Sequence, residues 1–503
     1  MNHKSNKLQL VKLGIDTQHE FIIYMHADCF VCKSEGFETQ AQVLVSFNNH
    51  SIVAALNVVH SNILKSHEAS LSESAWKALG VKEGDIVNLS HLAPVTSLTY
   101  VRSKIHGNPL KPEEIHEIIT DIVAGKYSNI HLSSFVTASA RNNLSIDEII
   151  SLTKSMIETG KQLHWDYPVV MDKHSVGGIP GNRTTPIVVA IVAAAGLVIP
   201  KTSSRAITSP AGTADTVETM TTVELTMSKM REVVAKEGGC MAWGGTLDIS
   251  PADDIIIGVE RALDIDPGGQ MIASVLSKKA AVGATHVLID IPVGPTAKIR
   301  SNQEFLKLKE YFALVGKAVG IHVLVLKTDG NQPVGKGIGP ALEAKDILAI
   351  FNNEKDFSID LKNKSIELAG TILELGHKAS LGKGEALARK ILESGAAFKK
   401  FLAICEAQGG FHLPPTAKYT HDVVATQSGI VTEIDNRNLA KIAKLAGAPH
   451  DPAAGIEFFA RLGTHVTPGQ PLYRIHAIAK GELEYSLAYA KTIPHVVKLD
   501  TKE

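Results

Sequence analysis

Residues 167–200 read YPVVMDKHSVGGIPGNRTTPIVVAIVAAAGLVIP, and the fold is decided there. The opening YPVVMD predicts a short buried strand. Gly177, Gly178 and Gly181 then predict a loop. From Pro186 to Pro200 the chain is almost wholly apolar. That run falls short of the ~20 residues a membrane span needs, so it predicts a core helix followed by a second strand at LVIP. Strand, loop, helix and strand in this order predict an α/β domain with a largely parallel sheet. HVLIDIPVG at 286–294 and HVLVLKTDG at 322–330 continue the pattern, around a helix predicted near residues 302–318.

Outward from this centre the patterning changes. Residues 7–90 alternate apolar and polar positions, as in LVSF, SIVAALNVV and DIVNLS; this predicts a β-rich N-terminal domain over residues 1–92. Pro112 suits a first helical position, and Ile115, Ile118, Ile119 and Ile122 form one apolar face closed by Gly125. Ser145 and Glu148 form a capping box at the head of a helix ending at Gly160. These helices predict a small helical domain over residues 93–165. The α/β catalytic domain then spans 166–415, with the option of exchanging a helix with the helical domain. Short strands with glycine turns, around a helix at 439–445, predict an α+β C-terminal domain over 416–503. GKGIG at 335–339 reads as turn structure, because one glycine-rich turn is weak evidence for a ligand site.

Composition narrows the function. The chain has 503 residues, with 51 Lys and Arg against 52 Asp and Glu, a formal charge of -1. No electrostatic argument therefore points to a nucleic-acid or membrane partner. The N-terminal MNHKSNKLQLVKLGID lacks the apolar region of a signal peptide, so a cytoplasmic location is expected. Four cysteines make no disulfide framework. Cys29 and Cys32 form a C-x-x-C without a second pair to complete a zinc site and without an evident strand-to-helix context. They read as ordinary thiols, with a metal or redox role as the lesser alternative.

Two segments carry chemistry. Residues 172–185, DKHSVGGIPGNRTT, lie between a predicted strand and a predicted helix. Glycines there let the backbone approach a ligand, and N–H groups at a helix start attract anions. Lys173 adds charge, and Ser175 and Thr184 add hydroxyls. The order of residues is not that of a Walker A loop. Residues 201–218, KTSSRAITSPAGTADTVE, also follow a strand and are rich in small and hydroxyl residues. Arg205 is able to donate bidentately. Asp215 and Glu218 are expected to cap a helix or fix the loop.

These segments carry a family resemblance. SSRAITSPAGTADTVE resembles the signature of the thymidine and pyrimidine-nucleoside phosphorylases, and KHSVGG resembles their phosphate loop. LSSFVTASARNNLSIDEIISLTKSMIETG resembles their helical domain, and DPAAGIEFFARLGTHVTPGQPLYRIHA their C-terminal domain. The IPGNRTT continuation and the additional N-terminal domain resemble the long form of the family, the AMP phosphorylases and type 2 thymidine phosphorylases.

The resemblance implies a set of roles. Lys173, Ser175, Ser203 and Thr213 match phosphate-holding positions, with Thr184 a further candidate. His174 matches the histidine that faces the nucleoside. Gly178, Ser204, Arg205, Ala206, Ile207, Thr208, Ser209 and Thr213 match nucleotide-binding positions, and Ser274 and Lys298 complete that set. Asp266 matches the proton donor of AMP phosphorylases. Within GVERALDIDPGGQMIASVLSKKA, Ser274 and Lys278 match base-binding positions, and Arg261 resembles a third across a short gap. The bland alternatives stay open. Asp266 before Pro267 also fits a helix cap, Arg261 and Lys278 also fit solvated helix charges, and His174 also fits a structural histidine, though its place in the loop argues otherwise.

The implied reaction is reversible phosphorolysis: thymidine and phosphate give thymine and 2-deoxyribose 1-phosphate. The rival substrate is AMP, giving adenine and ribose 1,5-bisphosphate. A remoter alternative is an anthranilate-type phosphoribosyltransferase, whose magnesium needs acidic residues that these loops do not evidently pair. No organic cofactor and no metal is expected, phosphate being a co-substrate, and a homodimer or larger homo-oligomer is expected.

Overall fold

The computed structural model describes residues 6–17, 20–36, 41–140, 144–206, 209–263, 265, 267–493 and 495–501. The chain divides into two compact units, residues 1–155 with 258–260, and residues 156–257 with 261–503.

In the first unit, six strands close a barrel: β1 Lys7–Leu10, β2 Ile22–His26, β3 Gln42–Phe47, β4 His50–Val59, β5 Glu68–Leu71 and β6 Ile86–His91, in the order β1-β5-β2-β4-β3-β6. Alternation does the work: Leu8 and Leu10, Val43 and Val45, and Val87 and Leu89 point inward while their neighbours are more exposed. Closure leaves no unpaired edge. Two short helices, α1 Phe30–Glu35 and α2 Glu73–Leu79, attach to the barrel. The sequence shows no strand-to-helix setting for Cys29 and Cys32, yet the structure supplies one. β2 ends at His26, Cys29 is the residue before α1, and Cys32 lies in its first turn. The strand was hard to read because its burial pattern does not alternate, being buried on both sides.

The helices α3 Leu98–Ile105, α4 Pro112–Val123, α5 Asn129–Ala138 and α6 Ile146–Glu158 follow. Ile115, Ile118, Ile119 and Ile122 of α4 are all buried. At the head of α6 the Ser145 N–H donates to Glu148 Oε2 at 2.8 Å, and the Glu148 N–H returns to Ser145 Oγ at 3.3 Å. The other oxygen of Glu148 accepts from Lys104 Nζ at 2.6 Å, so this capping box also satisfies a buried cation.

The second unit holds the predicted parallel strands. β7 Met171–Ser175, β8 Ile199–Ser203, β9 Gly239–Trp243, β10 His286–Val293 and β11 His322–Asp329 form parallel pairs: β10 between β7 and β11, and β8 beside β9. A single parallel bridge, Val170 to Val198, relates the starts of β7 and β8. The apolar run is α7 Thr185–Ala194, buried along nearly its whole length. It packs in one core with α14 Ile359–Leu375 and α16 Ala396–Gln408. The remaining helices are α8 Thr213–Glu218, α9 Met227–Glu237, α10 Pro251–Leu263, α11 Gly268–Ala281, α12 Asn302–Ala318, α13 Pro340–Phe351 and α15 Gly384–Glu393.

One boundary differs from the reading of the sequence. β7 starts at Met171 and runs through Lys173, His174 and Ser175, which the sequence placed in the loop. Backbone pairing of these polar residues with Leu288, Ile289 and Asp290 of β10 overrides their weak strand propensity. Their side chains are thereby fixed at the carboxyl end of a parallel sheet, where ligands of α/β folds bind.

In the C-terminal region, β12 Gly337–Ile338, β13 Tyr419–Val424, β15 Gly455–Phe458 and β17 Pro471–Ala477 form one antiparallel sheet. β14 Gly429–Ile434, β16 His465–Val466 and β18 Val497–Asp500 form another, flanked by α17 Asn436–Leu445 and α18 Lys480–Thr492. GKGIG is therefore more than a turn, because two of its residues pair with β15. The backbone N–H groups of Lys336 and Gly337 both donate to Asp346 Oδ2, at 2.6 and 2.8 Å.

Candidate active site

In the middle of β7, Lys173 is almost fully buried. Its Nζ donates to Thr184 Oγ1 at 2.6 Å and approaches Thr185 Oγ1 at 3.3 Å. Burial pushes the ammonium down to about 7; Asp290 opposes this, and Lys364 and Arg183 reinforce it. Thr184, whose place was open from sequence, is thus joined to Lys173.

The neighbouring Ser175 donates from Oγ to Asp290 Oδ2 at 2.9 Å and accepts from Asn182 Nδ2 at 3.2 Å. In this arrangement its proton faces a carboxylate. An arriving anion meets a donor only after that hydroxyl turns. Asp290 also accepts from Thr328 Oγ1 and lies 3.4 Å from Lys364 Nζ. Burial raises its carboxyl, but Lys364, Lys173 and the two hydroxyls outweigh that and hold it below the ordinary range. The loop after β7 runs flush against its neighbours: a Cβ at Gly178, where φ is +90°, would lie 2.2 Å from the Lys298 nitrogen.

The second segment is tied to the first by Arg183. Its Nε donates to Glu343 Oε2 at 2.7 Å, Nη1 to Thr213 Oγ1 at 2.7 Å and Nη2 to the Ala211 carbonyl at 2.9 Å. Asp215 Oδ2 accepts from the backbone N–H of Ala206 and of Gly212, at 2.7 and 2.8 Å, which is the loop-fixing role expected of it. Arg205 is held by its own side of the loop. It donates to both oxygens of Glu218, reaches Asp215 and Glu224, and lies 4.4 Å above the Trp243 ring. Its bidentate capacity is spent on Glu218. Ser203 Oγ, at the end of β8, is buried with no hydrogen-bond partner among the described residues. Ser204 and Ser209 are exposed, and Ser209 Oγ donates to the Ala211 carbonyl at 2.9 Å. Ile207 and Thr208 lie outside the described residues.

Next to Lys173, the fully buried Asp172 faces Lys279 Nζ at 2.7 Å and Lys201 Nζ at 3.7 Å. Lys201 is pushed well below the ordinary lysine range by burial and then by Lys279. His174 is driven well below the ordinary histidine range by burial first, then by Lys279, Lys201, Lys173 and Lys298. It is a neutral imidazole near pH 7. In this linked set Lys173, Arg183, Lys201, Lys279, Lys298 and Lys364 stand against Asp172, Asp290 and Glu343. The surplus is cationic, which suits an anionic ligand.

The expected base-side residues are less concentrated. Lys278, on α11, is ion-paired with the buried Asp253. Ser274 is half-buried on the same helix. Arg261 is exposed and reaches the Ala206 carbonyl at 3.4 Å. Asp264 and Asp266 lie outside the described residues.

Lys201 opens the second segment and Arg183 sits within the first, whereas Lys279, Asp290, Glu343 and Lys364 lie outside both. Lys279 was hidden beside Lys278, because neighbouring residues on a helix face different ways. Asp290 and Lys364 come from distant strands and helices and have no local signature.

Residues 98–160 match the helical bundle domain of a glycosyl transferase family, residues 167–398 its a/b domain, and residues 430–493 the pyrimidine nucleoside phosphorylase C-terminal domain. A "Putative thymidine phosphorylase" of Legionella pneumophila (strain Corby) is 54% identical over 479 residues, covering 95% of this chain and 93% of that one. A protein of the same name from Maricaulis maris is 52% identical over 501 residues, covering 99% and 96%. The chain belongs to this family. Among solved structures, the anthranilate phosphoribosyltransferase of Thermus thermophilus superposes with a TM-score of 0.53 at 20% identity, over 61% of this chain and 98% of that one. The enzyme from Saccharomyces cerevisiae, in complex with PRPP and Mg, gives 0.51 at 15%, over 63% and 99%. These two likenesses concern the fold alone. In this chain no helix is long and apolar enough to cross a membrane, among the described residues.

Proposed function

We propose that this chain is a thymidine phosphorylase, converting thymidine and phosphate to thymine and 2-deoxyribose 1-phosphate. The observation that carries the reading is the buried cationic set around His174, bordered by the hydroxyls of Thr184 and Thr213. Phosphate sits against Lys173 and the hydroxyls of Ser175, Thr184, Ser203 and Thr213. There it attacks C1′ of the sugar as the bond to the base breaks. Fixed cations and donors stabilise the charge without reorganising. His174, neutral, offers a ring N–H to the base. Gly178, Ser204 to Ser209 and Lys298 border the nucleoside, with Arg261, Ser274 and Lys278 on the base side. Asp266 is the candidate proton donor where the leaving base is a purine, as in the AMP reading. The reading requires no cofactor or metal.

A second reading is favoured by one observation. The charge of Lys278, which would meet a departing pyrimidine anion, is already countered by Asp253. A purine leaves on protonation rather than as an anion, so AMP giving adenine and ribose 1,5-bisphosphate is the rival. Phosphate-dependent base release from thymidine, uridine, AMP, CMP and UMP, with a phosphate-free control, separates the two. Release from thymidine supports the first reading, and preference for AMP replaces it with the second. Turnover of a pyrophosphorylated sugar with magnesium, and of none of these, would replace both.

We also propose a cytoplasmic homodimer. The four cysteines are unbridged, which suits a reducing compartment. A groove of about 1040 Å³ between α3 and α5 exposes Ile105 and Ile130, which supports association there. Analytical ultracentrifugation tests it, and a monomer at micromolar concentration would refute it.

A further inference from the structure

The thiol pair of the N-terminal barrel has no part in the phosphate chemistry. β2 ends at His26, the Cys29 N–H donates back to the His26 carbonyl at 2.8 Å, and the chain enters α1. Cys29 is the residue before the helix and Cys32 lies one turn on. Residues three apart in a helical turn bring their Cβ atoms to about 5–6 Å. That is close to the separation a disulfide bridges after a small adjustment. The Lys33 N–H donates to the Cys29 carbonyl at 3.2 Å, so the two cysteines bracket a single helical turn. Both are reduced, and both belong to the barrel core. The turn nonetheless reaches the surface: Phe30 between them is 41% exposed, and Asp28 and Lys33 pair across it at 2.6 Å in solvent.

The other two cysteines provide a contrast within the same chain. Burial pushes the thiols of Cys240 and Cys405 up, the latter to about 12. Such thiols are inert. Cys29 goes the opposite way although it is buried, because the Cys32 thiol stabilises its thiolate; Cys32 is raised in return. One sulfur is thus poised as a nucleophile and the other is in place to resolve it. Among the described residues no group of three or more His, Cys, Asp or Glu side chains is arranged to hold a metal ion, so the pair stands apart from a zinc cluster.

We propose that Cys29 and Cys32 form an oxidisable dithiol, a modification site at which a hydroperoxide closes an intramolecular disulfide. The Cys29 thiolate attacks one peroxide oxygen and the O–O bond breaks. Cys29 becomes a sulfenic acid, and the departing oxygen takes up the thiol proton as an alcohol or water. The Cys32 sulfur then attacks the Cys29 sulfur. The S–O bond breaks, and the hydroxyl leaves with the Cys32 proton as water. Two thiols and one hydroperoxide therefore give one disulfide, one alcohol (or water) and one water.

The test uses the reduced full-length chain and hydrogen peroxide, followed by alkylation of the remaining thiols and peptide mapping. The expected result is joint loss of two thiols into a Cys29–Cys32 linked peptide lighter by two hydrogens. Loss should be at least about tenfold faster than at Cys240 or Cys405. A dithiol reductant should restore both. Cys32→Ser should stop at a sulfenic acid on Cys29, trapped by a dimedone reagent, and Cys29→Ser should leave Cys32 unreacted. The proposal is overturned if Cys29 and Cys32 oxidise no faster than the other two. It is equally overturned if Cys29 passes to sulfinic acid in the wild-type chain without a linked peptide. The wild-type map decides the matter even if neither variant folds.

Discussion

Arg183 and Glu343 are 160 residues apart in sequence, yet the Arg183 Nε donates to a buried Glu343 oxygen at 2.7 Å. The same guanidinium holds Thr213 and the Ala211 carbonyl. One cation therefore fastens the loop after β7 to the loop after β8 and to α13. The two segments that carry the resemblance are brought together through this contact.

Removing that cation should be costly. Arg183→Met leaves the Glu343 carboxylate buried and unpaired, a change typically worth about 3–5 kcal/mol. The midpoint of denaturant unfolding for this region should fall accordingly. Burial already raises the Glu343 carboxyl and Arg183 opposes the rise. Without Arg183 the group takes up a proton more readily in the folded state. A raised carboxyl binds more protons folded than unfolded, so stability is regained as pH falls. The deficit of Arg183→Met should thus be smaller at pH 5 than at pH 8. An equal deficit at both would mean that Glu343 is not the group left unpaired.

Lys173 should make anion binding depend on pH. Its ammonium loses its proton at about 7, because burial outweighs Asp290. An anion beside it favours the charged form. Below pH 7 the charge is already present, and above it binding must recruit a proton. Sulfate, which does not titrate in this range, should inhibit as a phosphate competitor. Its inhibition constant should be level below pH 7 and rise about tenfold per pH unit well above it. Lys173→Met should abolish both the inhibition and its pH dependence. A flat profile in the wild type would remove Lys173 from the anion site.

His174 reports on the charges facing it. Burial and then Lys279 hold it well below the ordinary range. Lys279→Met should raise its titration midpoint, while Lys278→Met, whose charge is countered by Asp253, should move it far less. Histidine NMR titration of the two variants measures this. Equal shifts would show that Lys279 does not face His174 in solution.

Asp266 is tested by kinetics. As a general acid it should contribute on the order of 10²–10⁴ in turnover, so Asp266→Asn should lower kcat by about that factor and leave KM nearly unchanged. Wild-type turnover with a lowered unfolding midpoint would make it a helix cap instead.

Much of this was legible in the sequence, for reasons visible at particular residues. The inward alternation of Val43 and Val45 or Val87 and Leu89 predicts a β-rich domain, because side chains on a strand repeat every two residues. Ser145 and Glu148 predict a helix start because capping is a contact within one turn. The run in α7 predicts a buried helix because no face of it is polar. The two hydroxyl-rich segments give the expectation of an anion site, since Lys173, Ser175, Ser203 and Thr213 are all within them, and the sulfate measurement above is what tests it.

What tertiary structure alone decided concerns pairs distant in sequence. Lys173, His174 and Ser175 became strand because β10 lies beside them. Asp172 found Lys279 rather than Lys278, and Arg205 turned to Glu218 instead of outward. Cys29 gained a strand on one side and a helix on the other. The physical division is one of range. Periodicity, capping and turn chemistry act within a few residues and are written in order along the chain. Charge pairing and burial act through space between β7, β10, α11, α13 and α14, and they exist only once those elements have packed.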